Sequence, residues 1–407
     1  MIVVTGIGVI SPHGDDALAM FDALMRGESA VREVLVEPAK PAAAATAAFD
    51  ASRWFSKLQL AGVDRVSQMA VAAAELAMRD ARAAGTVEAQ RIGVYVGCGM
   101  GGATALDTAY RSGAQAGRVS PLTIPAFMPN APAAHVAMRQ GATGPVLSYS
   151  VACASSSVAI AEAAKALRAG EIDLAIAGGS EAVIVPGVML AWQAMQTLAS
   201  VPSVPSGGAA SACRPFAVDR SGFALGEGAA FMVMERAEPA RARGARAYVE
   251  LAGTGLSCDA THLTKPDAGG QQRAMLAALQ QSRMTVYDVG YCNAHGTATR
   301  IGDVVESQAL RGVWGVWGDA ASQLLVSSTK SMHGHLLGAA GALEAIVTLL
   351  AVHQRRLPPN AHCVDQDSEC ALNLVRDVGH EAPQLNAAMS NSFAFGGTNS
   401  VLVFRRL

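Results

Sequence analysis

The chain has 407 residues, of which 51% are hydrophobic and 16% are charged. This balance excludes an intrinsically disordered chain and predicts a compact soluble protein with a large buried core. The formal net charge is −2, and the sequence contains no block of like charges. Because nucleic-acid binding requires a basic excess or a basic stripe, we expect no nucleic-acid partner.

Seven cysteines occur, at positions 98, 153, 213, 258, 292, 363 and 370. Their number is odd and no two have Cys-x-x-Cys spacing, which disfavours a disulfide framework and a zinc site. We therefore expect a reducing, cytoplasmic location. The apolar N-terminus lacks a basic residue before it and is broken by Gly6 and Gly8, so it predicts a strand rather than a signal peptide. The sequence suggests no membrane span of about 18 apolar residues.

Short β-branched runs alternate with alanine-rich runs along the chain. In the first part the predicted strands are 2–5, 92–96, 146–151, 174–177 and 229–234, and the predicted helices are 66–83 and 158–168. After residue 245 the predicted strands are 247–253, 324–327 and 401–404, and the predicted helices are 271–282 and 338–353. This alternation predicts an α/β fold in layers. The similar rhythm of the two parts predicts a duplication, with residues 1–240 and 241–407 as the two halves.

Two segments rich in small residues and proline, 38–48 and 198–211, are predicted to be loops.

The stretch GPVLSYSVACASSSVAIAEAAKALRAG contains the first candidate for chemistry, Cys153. A predicted strand runs into Cys153, and a predicted helix begins among the following serines and ends at Gly170. Free backbone N–H groups at a helix N-terminus stabilise a thiolate, which is the form of cysteine that acyl transfer needs. The residues alone leave two interpretations of Cys153 open, a nucleophile or a small buried hydrophobe.

Two further stretches place candidate residues just after predicted strands. In CNAHGTATRIGDVVE, His295 precedes a glycine turn that contains Thr297 and Thr299. In SSTKSMHGHLLGAAGALEAI, Lys330 and His335 precede a helix rich in glycine and alanine. Open α/β sheets place their functional sites beyond the carboxyl ends of strands, so these positions are candidates for one site.

The chain resembles the β-ketoacyl-acyl-carrier-protein synthases, and within them the elongating type II enzymes of the thiolase superfamily. The resemblance runs nearly end to end, in the ordered motifs VVTGIGVISP, GCGMGG, the turn around Cys153, AGGSEA, RPFAVDRSGFALGEGA, HGTAT, KSMHGHLLGAAG and NSFAFGGTN. It implies a thiolase-like α/β fold of two duplicated halves in five α-β-α-β-α layers. It also implies a homodimer in which the two subunits lie side by side.

The resemblance implies a decarboxylative Claisen condensation that extends an acyl chain in fatty-acid, polyene or polyketide synthesis. Cys153 would take the acyl group from an acyl-carrier thioester. His295 and His335 would bind the malonyl thioester carbonyl and stabilise the enolate that forms as CO₂ leaves. Lys330, paired with Glu306, would orient His335 electrostatically.

Other residues match supporting positions of the family. The backbone N–H groups of Cys153 and Phe395 would hold the oxyanion, and Phe395 also matches the gate residue. Thr297 and Thr299 match positions near the phosphopantetheine arm, and Met100 matches a position that lines the acyl tunnel. The resemblance implies no metal or organic cofactor, because the arm belongs to the acyl-carrier protein.

Three alternatives remain within this superfamily. A thiolase would have a second cysteine where this chain has His335, and a starter-type synthase would have asparagine there, so both are disfavoured. A silent chain-length factor would lack Cys153. The chain is instead compatible with the active half of a heterodimer with such a factor, which the sequence does not distinguish from a homodimer.

The basic docking stretch that many fatty-acid synthases have before their first long helix is thin. Its cations here are Arg53, Lys57 and Arg65, with Arg118 at a further docking position. This thin patch favours a specialised pathway, such as polyene or polyketide synthesis, with its own carrier protein.

Overall fold

The computed structural model describes residues 1–201, 207–315 and 324–407 of the chain. Its helices are α1 (Ala17–Met25), α2 (Arg65–Ala81), α3 (Ala103–Ala116), α4 (Thr123–Phe127), α5 (Ala131–Gln140), α6 (Ser155–Ala169), α7 (Pro186–Ala194), α8 (Ala237–Ala242), α9 (Ala268–Ser282), α10 (Arg300–Trp314), α11 (Lys330–His333) and α12 (Ala340–Gln354). Its strands are β1 (Ile2–Ile10), β2 (Arg32–Val34), β3 (Ala42–Ala45), β4 (Ile92–Gly97), β5 (Val146–Tyr149), β6 (Leu174–Glu181), β7 (Leu225–Gly226), β8 (Gly228–Arg236), β9 (Val249–Cys258), β10 (Tyr291–Asn293), β11 (Leu325–Ser327), β12 (Arg356–Leu357), β13 (His380–Glu381), β14 (Ala387–Phe393) and β15 (Thr398–Arg405).

Ten of these strands form one large sheet in which the same arrangement occurs twice. The order is β1-β8-β6-β4-β5 in the first half and β9-β15-β14-β10-β11 in the second. In each half the first two pairings are antiparallel and the last two are parallel. The halves meet where β1 pairs with β9. This repeat supports the predicted duplication, while the boundary after residue 240 falls inside α8 and stays a prediction.

Helices cover both faces of the structure and also fill its centre. The outer face of the first half is covered by α2 and α5, and that of the second half by α9 and α10. Between the halves, α6 and α12 pack against each other and against strands of both. The layers therefore run helix, strand, helix, strand, helix, and the predicted fold class is confirmed.

The central helix α12 is apolar around almost its whole circumference, because strands and helices surround it. Residues from Ala340 to Val352 are all buried. The segment Leu337–Gln354 is long and apolar enough to cross a membrane, but 89% of it is buried inside the fold. A helix that is hydrophobic all round belongs either to a core or to a membrane, and this burial identifies α12 as a core helix.

The predicted strands and helices are present in the structure, although their ends are shifted. The structure also contains strands and helices that the sequence pattern does not predict. The first strand continues to Ile10, five residues beyond its predicted end. The predicted loop 38–48 contains β3, whose four alanines are buried and pair with β2 and β7. Alanine has a low strand propensity, which is why the pattern predicts a loop there. Of the predicted loop 198–211, residues 202–206 lie outside the described residues, and Gly208–Ser211 forms a 3₁₀ turn.

Candidate active site

The structure places Cys153 at the strand-to-helix turn that the sequence predicts. Cys153 lies in the 3₁₀ turn Ala152–Ala154, between β5 and α6, and only 8% of it is exposed. The Ser155 hydroxyl donates to the carbonyl oxygen of Ala152 at 2.6 Å and accepts from the Val151 N–H at 3.0 Å. These two hydrogen bonds fix the turn that presents the sulfur at the start of α6.

His335 lies beside the sulfur, at the bend between α11 and α12. Its Nε2 is 3.1 Å from Cys153 Sγ. Its Nδ1 accepts a hydrogen bond from the Leu337 N–H at 3.3 Å. Because a neutral imidazole has one donor and one acceptor nitrogen, the ring proton of His335 is on Nε2. His335 therefore presents an N–H donor to the space around the sulfur.

His295 follows β10 and presents a second donor to the same space. Lys330 Nζ is 3.4 Å from His295 Nδ1. An ammonium group only donates, so Nδ1 is the acceptor here and the proton of His295 is also on Nε2. The rings of His295 and His335 lie edge to face, with centroids 5.5 Å apart. The direct contact of Lys330 is therefore with His295, and its predicted electrostatic action on His335 stays a prediction.

The carboxylate partner of Lys330 is Glu344, and the predicted pairing with Glu306 is wrong. Lys330 Nζ lies 2.5 Å from Glu344 Oε1, and both side chains are fully buried. Glu306 instead accepts hydrogen bonds from the N–H groups of His295 at 2.8 Å and Gly296 at 2.7 Å. The reason is that α12 brings Glu344 next to α11, whereas α10 directs Glu306 at the turn after β10. Glu306 therefore fixes the backbone from which His295 projects.

Burial and neighbouring charges set the protonation of the site. Burial lowers the pKa of His295 and of His335 well below 6.5, and the charge of Lys330 lowers both further. Both rings are therefore neutral at pH 7. Burial raises the pKa of the Cys153 thiol to about 11, while the charge of Lys330 and the Phe395 N–H act in the opposite direction. The His335 Nε2–H and the N-terminus of α6 also stabilise the anion, so four groups favour negative charge on the sulfur during acyl transfer.

Sulfur and two ring nitrogens in this arrangement resemble a set of metal ligands. One ring nitrogen each of His295 and His335 and the sulfur of Cys153 lie within 4.8 Å of one another. A histidine that binds metal through Nε2 donates its Nδ1–H to an acceptor. Here the Leu337 N–H and the Lys330 ammonium are donors that face Nδ1, which keeps the protons on Nε2. The surroundings of the histidines therefore suit hydrogen-bond donation and not metal binding.

A cavity of about 440 Å³ opens beside these three residues. Thr297 and Thr299 line it, with their hydroxyl oxygens 3.0 Å apart. Phe395 also lines the cavity, and its ring packs against Trp192 with centroids 6.3 Å apart. Lys265, in an exposed position, contributes positive charge to the lining.

Of the predicted site residues, Met100 and the buried Lys330 do not line this cavity. Lys330 reaches the site through its contact with His295, but Met100 does not contact the three reacting residues. It is 45% exposed, and its N–H donates to Glu181 Oε1 at 3.2 Å. Met100 therefore lies outside the cavity that contains Cys153, and its role in lining an acyl tunnel stays a prediction.

Sequence reasoning missed several residues of the site. Glu344 could have been found, because it is the one carboxylate in the otherwise apolar segment GALEAIVTLLAV. Phe223 packs edge to face on His335 at 5.2 Å between centroids, and Trp192 packs in the same way on Phe223 at 5.3 Å. No local pattern distinguishes these two aromatic residues from ordinary core residues.

A buried cysteine at a helix start, two neutral histidines that donate through Nε2 and a duplicated five-layer fold define a thiolase-fold condensing enzyme. Residues 1–240 match the model of the beta-ketoacyl synthase N-terminal domain, and residues 248–364 match that of the C-terminal domain. The chain therefore belongs to the β-ketoacyl synthase family, whose members are acyltransferases.

The chain is similar over its whole length to the following named relatives. It is 37% identical to 3-oxoacyl-[acyl-carrier-protein] synthase 2 of Staphylococcus aureus (strain COL), with 100% of this chain and 98% of the relative covered. It is 39% identical to nodulation protein E of Rhizobium meliloti, with 100% and 99% covered. A solved structure described as the ishigamide ketosynthase/chain length factor matches with a TM-score of 0.91 at 30% identity, covering 100% of this chain and 99% of that one. These similarities confirm the family and fold that the sequence motifs imply.

Proposed function

We propose that this chain catalyses decarboxylative Claisen condensation, in which a malonyl thioester extends an acyl chain held on Cys153. The observation that supports this most directly is the meeting of the sulfur with ring nitrogens of His295 and His335, all within 4.8 Å. The sulfur can hold the acyl group while the two N–H donors face the developing negative charge of the malonyl oxygen. Preorganised donors of this kind are worth about 3 kcal/mol each.

In the first half-reaction, the Cys153 sulfur attacks the carbonyl carbon of an acyl-carrier thioester, and the thiol of the carrier arm leaves with a proton. The malonyl thioester then binds with its carbonyl oxygen toward the Nε2–H groups of His295 and His335. The bond between the malonyl methylene carbon and its carboxylate breaks, CO₂ leaves, and the electron pair forms the enolate. The enolate carbon attacks the acyl thioester, a carbon–carbon bond forms, and the sulfur is released.

The oxyanion of each tetrahedral intermediate would be held by the backbone N–H groups of Cys153 and Phe395. The Phe395 N–H faces the sulfur in the resting site. Because that residue also packs on Trp192, movement of the aromatic pair would open or close the cavity beside Cys153. This arrangement supports the double role of Phe395 as oxyanion donor and gate.

The partner that we propose is an acyl-carrier protein whose phosphopantetheine arm enters along Thr297 and Thr299. Lys265 and Arg300 line the same cavity from exposed positions and provide positive charge for the phosphate of the arm. The name of the Staphylococcus aureus relative includes the acyl-carrier protein, which supports this choice of partner.

The docking surface favours a specialised chain-elongation pathway over general fatty-acid synthesis. Arg53 forms an ion pair with Asp15 at 2.7 Å, and Arg65 forms one with Glu227 at 2.7 Å. Among the residues that the structure describes, Lys57 and Arg118 form no ion pair and remain for an acidic carrier. A surface with two unpaired cations suits a dedicated carrier, as in polyene or polyketide synthesis.

Mass spectrometry of the intact protein mixed with acyl-carrier thioesters of different length and unsaturation tests this proposal. We expect one acyl group per chain, located on Cys153, and the chain that loads fastest identifies the substrate class. Absence of any loaded chain, with carrier proteins of both fatty-acid and polyketide type, would contradict the proposed function.

We also propose that the chain forms a homodimer through the edge of its large sheet. The outermost strand of the first half, β5, exposes 38% of Val146 and 45% of Leu147. Ile124 and Met128 are further exposed apolar residues in the first half. An exposed edge strand with apolar side chains is prone to pair with another chain. A chain-length factor in place of the second copy is the alternative, and the ishigamide structure includes such a factor.

We expect the purified chain to have about twice the monomer mass of 41.7 kDa in light scattering coupled to size exclusion. Replacing Leu147 by Lys places a charge on the sheet edge and should shift the protein to the monomer. The matched control is Leu276→Lys on α9, which is also exposed and should leave the dimer intact. A monomeric parental chain that becomes active only with a second ketosynthase-like chain would favour the heterodimer instead.

A reducing, cytoplasmic location fits this assignment. All seven cysteines are free in the structure, six of them buried, so the fold does not depend on oxidation. Structural disulfides are rare in reducing compartments, which is consistent with cytoplasmic synthesis of the acyl chain.

A further inference from the structure

Glu181 is a buried carboxylate that the reaction described above does not use. It is the last residue of β6, and none of its surface is exposed. Its Oε2 accepts hydrogen bonds from the N–H groups of Gly99 at 2.8 Å and Gly338 at 3.0 Å, and its Oε1 accepts from the Met100 N–H at 3.2 Å. A carboxylate that receives three backbone donors holds two segments of the chain together, the loop after β4 and the turn before α12.

That turn contains the hydrogen bond that sets the proton of His335. Leu337 adopts a positive φ of +45°, which is unusual for a branched residue and requires support from its surroundings. The Leu337 N–H donates to His335 Nδ1 at 3.3 Å, and the next N–H, that of Gly338, donates to Glu181. The carboxylate therefore holds the turn one residue away from the donor on which the tautomer of His335 depends.

The space around the carboxylate is closely fitted. A Cβ atom at Gly338 would lie 2.6 Å from Glu181 Oε2, and one at Gly99 would lie at the same distance. At Gly99 the carboxylate oxygen is the nearest atom, whereas a Cβ at Gly338 would lie still closer, at 2.4 Å, to the backbone nitrogen of Gly99. Such close approach from two segments means that a displacement of Glu181 moves the turn at Gly338.

We propose that Glu181 is a positioning residue for His335, an inference that rests on the proposed function of the site. By holding the Gly338 N–H, Glu181 keeps the Leu337 N–H directed at Nδ1 of His335. The proton of His335 then stays on Nε2, which lies 3.1 Å from Cys153 Sγ and faces the malonyl oxygen in the proposed reaction. Loss of this support allows the ring to exchange its proton between the two nitrogens.

Glu181→Gln is the sharpest test, because glutamine has the same shape but replaces one acceptor oxygen by an NH₂ donor. The glutamine NH₂ group then faces either the N–H groups of Gly99 and Gly338 or the N–H group of Met100. At least one of the hydrogen bonds that the carboxylate accepts is therefore lost. We expect the ¹⁵N NMR signals of the His335 ring to change from the pure Nε2–H tautomer to a mixture of tautomers. We also expect kcat for malonyl decarboxylation to fall about tenfold with KM unchanged, the lower end of the effect of outer-shell partners.

Acyl loading of Cys153 separates positioning from general damage to the fold. The negative charge of Glu181 raises the pKa of the Cys153 thiol, and three of the four groups that favour negative charge on the sulfur do not depend on Glu181, so its removal should slow loading much less than decarboxylation. The matched control is Ser180→Ala, the neighbouring buried residue of β6, which should leave tautomer and rates unchanged. Gly99→Ala is the second variant, because the atom nearest its Cβ is Glu181 Oε2 at 2.6 Å, so the new methyl group displaces the carboxylate without removing it.

A His335 ring that keeps the pure Nε2–H tautomer in Gly99→Ala, and in Glu181→Gln where that variant folds, overturns the inference. Equal losses of loading and decarboxylation in Glu181→Gln overturn it as well, because they indicate a structural role only. Failure of the parental chain to decarboxylate malonyl thioesters contradicts the proposed function instead. The tautomer is read without any substrate, so the two failures are distinguishable.

Discussion

Replacing Cys153 by Gln is expected to lower formation of the 3-oxoacyl product by about 10⁴-fold or more, since no sulfur remains to hold the acyl chain. Decarboxylation of the malonyl thioester should persist, because His295 and His335 keep the donors that face Nδ1 of each ring. The glutamine amide can occupy the position of an acyl thioester, with its oxygen near the Phe395 N–H. Separate measurement of CO₂ release and of 3-oxoacyl product by mass spectrometry checks both parts.

Two further variants control this result. Cys258→Ser changes the exposed cysteine and should retain the parental rates of loading, condensation and decarboxylation. Cys153→Ser keeps a hydroxyl nucleophile of higher pKa and should lose most condensation. Formation of 3-oxoacyl product by Cys153→Ser at the parental rate would exclude Cys153 as the essential nucleophile. Loss of decarboxylation together with condensation in Cys153→Gln would mean that the histidines do not act independently of the sulfur.

Much of this site could be predicted because its reacting groups lie in short motifs at strand ends. Cys153 and His295 are each defined by local signals, a strand before them and a turn or helix after them. The position of His335 beside the sulfur also depends on the repeated topology, which places the starts of α6 and α12 next to each other. The sequence repeat predicts that topology in outline. A sequence that predicts the fold therefore also predicts that these three residues lie close together.

The partner of Lys330 could not be predicted in the same way. Glu306 and Glu344 are both carboxylates on helices that follow a catalytic histidine. The apolar segment around Glu344 indicates a buried carboxylate, but it does not indicate which cation pairs with that carboxylate. The choice depends on how α12 packs over α11, a tertiary contact without a sequence signal. The same limit applies to β3, where four alanines form a strand because β2 and β7 lie on either side of it.

The Lys330–Glu344 pair leads to the second large effect. Replacing Lys330 by Met leaves Glu344 as a buried carboxylate without its cation, which is expected to destabilise the fold by about 3–5 kcal/mol. Burial already raises the pKa of Glu344 to about 7, and the charge of Lys330 lowers it, so the variant should have a still higher value. The folded state then binds more protons than the unfolded state, and the stability loss should grow as the pH rises from 6 to 8.5. Urea unfolding at several pH values measures this dependence.

The double variant Lys330→Met, Glu344→Gln distinguishes stability from catalysis. Without the buried charge, most of the lost stability and its pH dependence should return. Decarboxylation should remain about 10–100-fold below the parental rate, because Nδ1 of His295 no longer has the ammonium that keeps its proton on Nε2. Full recovery of decarboxylation in the double variant would show that Lys330 only neutralises Glu344. The contact between Lys330 and His295 instead predicts that activity stays low although the protein is stable. The ion pair with Glu344 holds Lys330 in place, and Lys330 keeps the proton of His295 on Nε2.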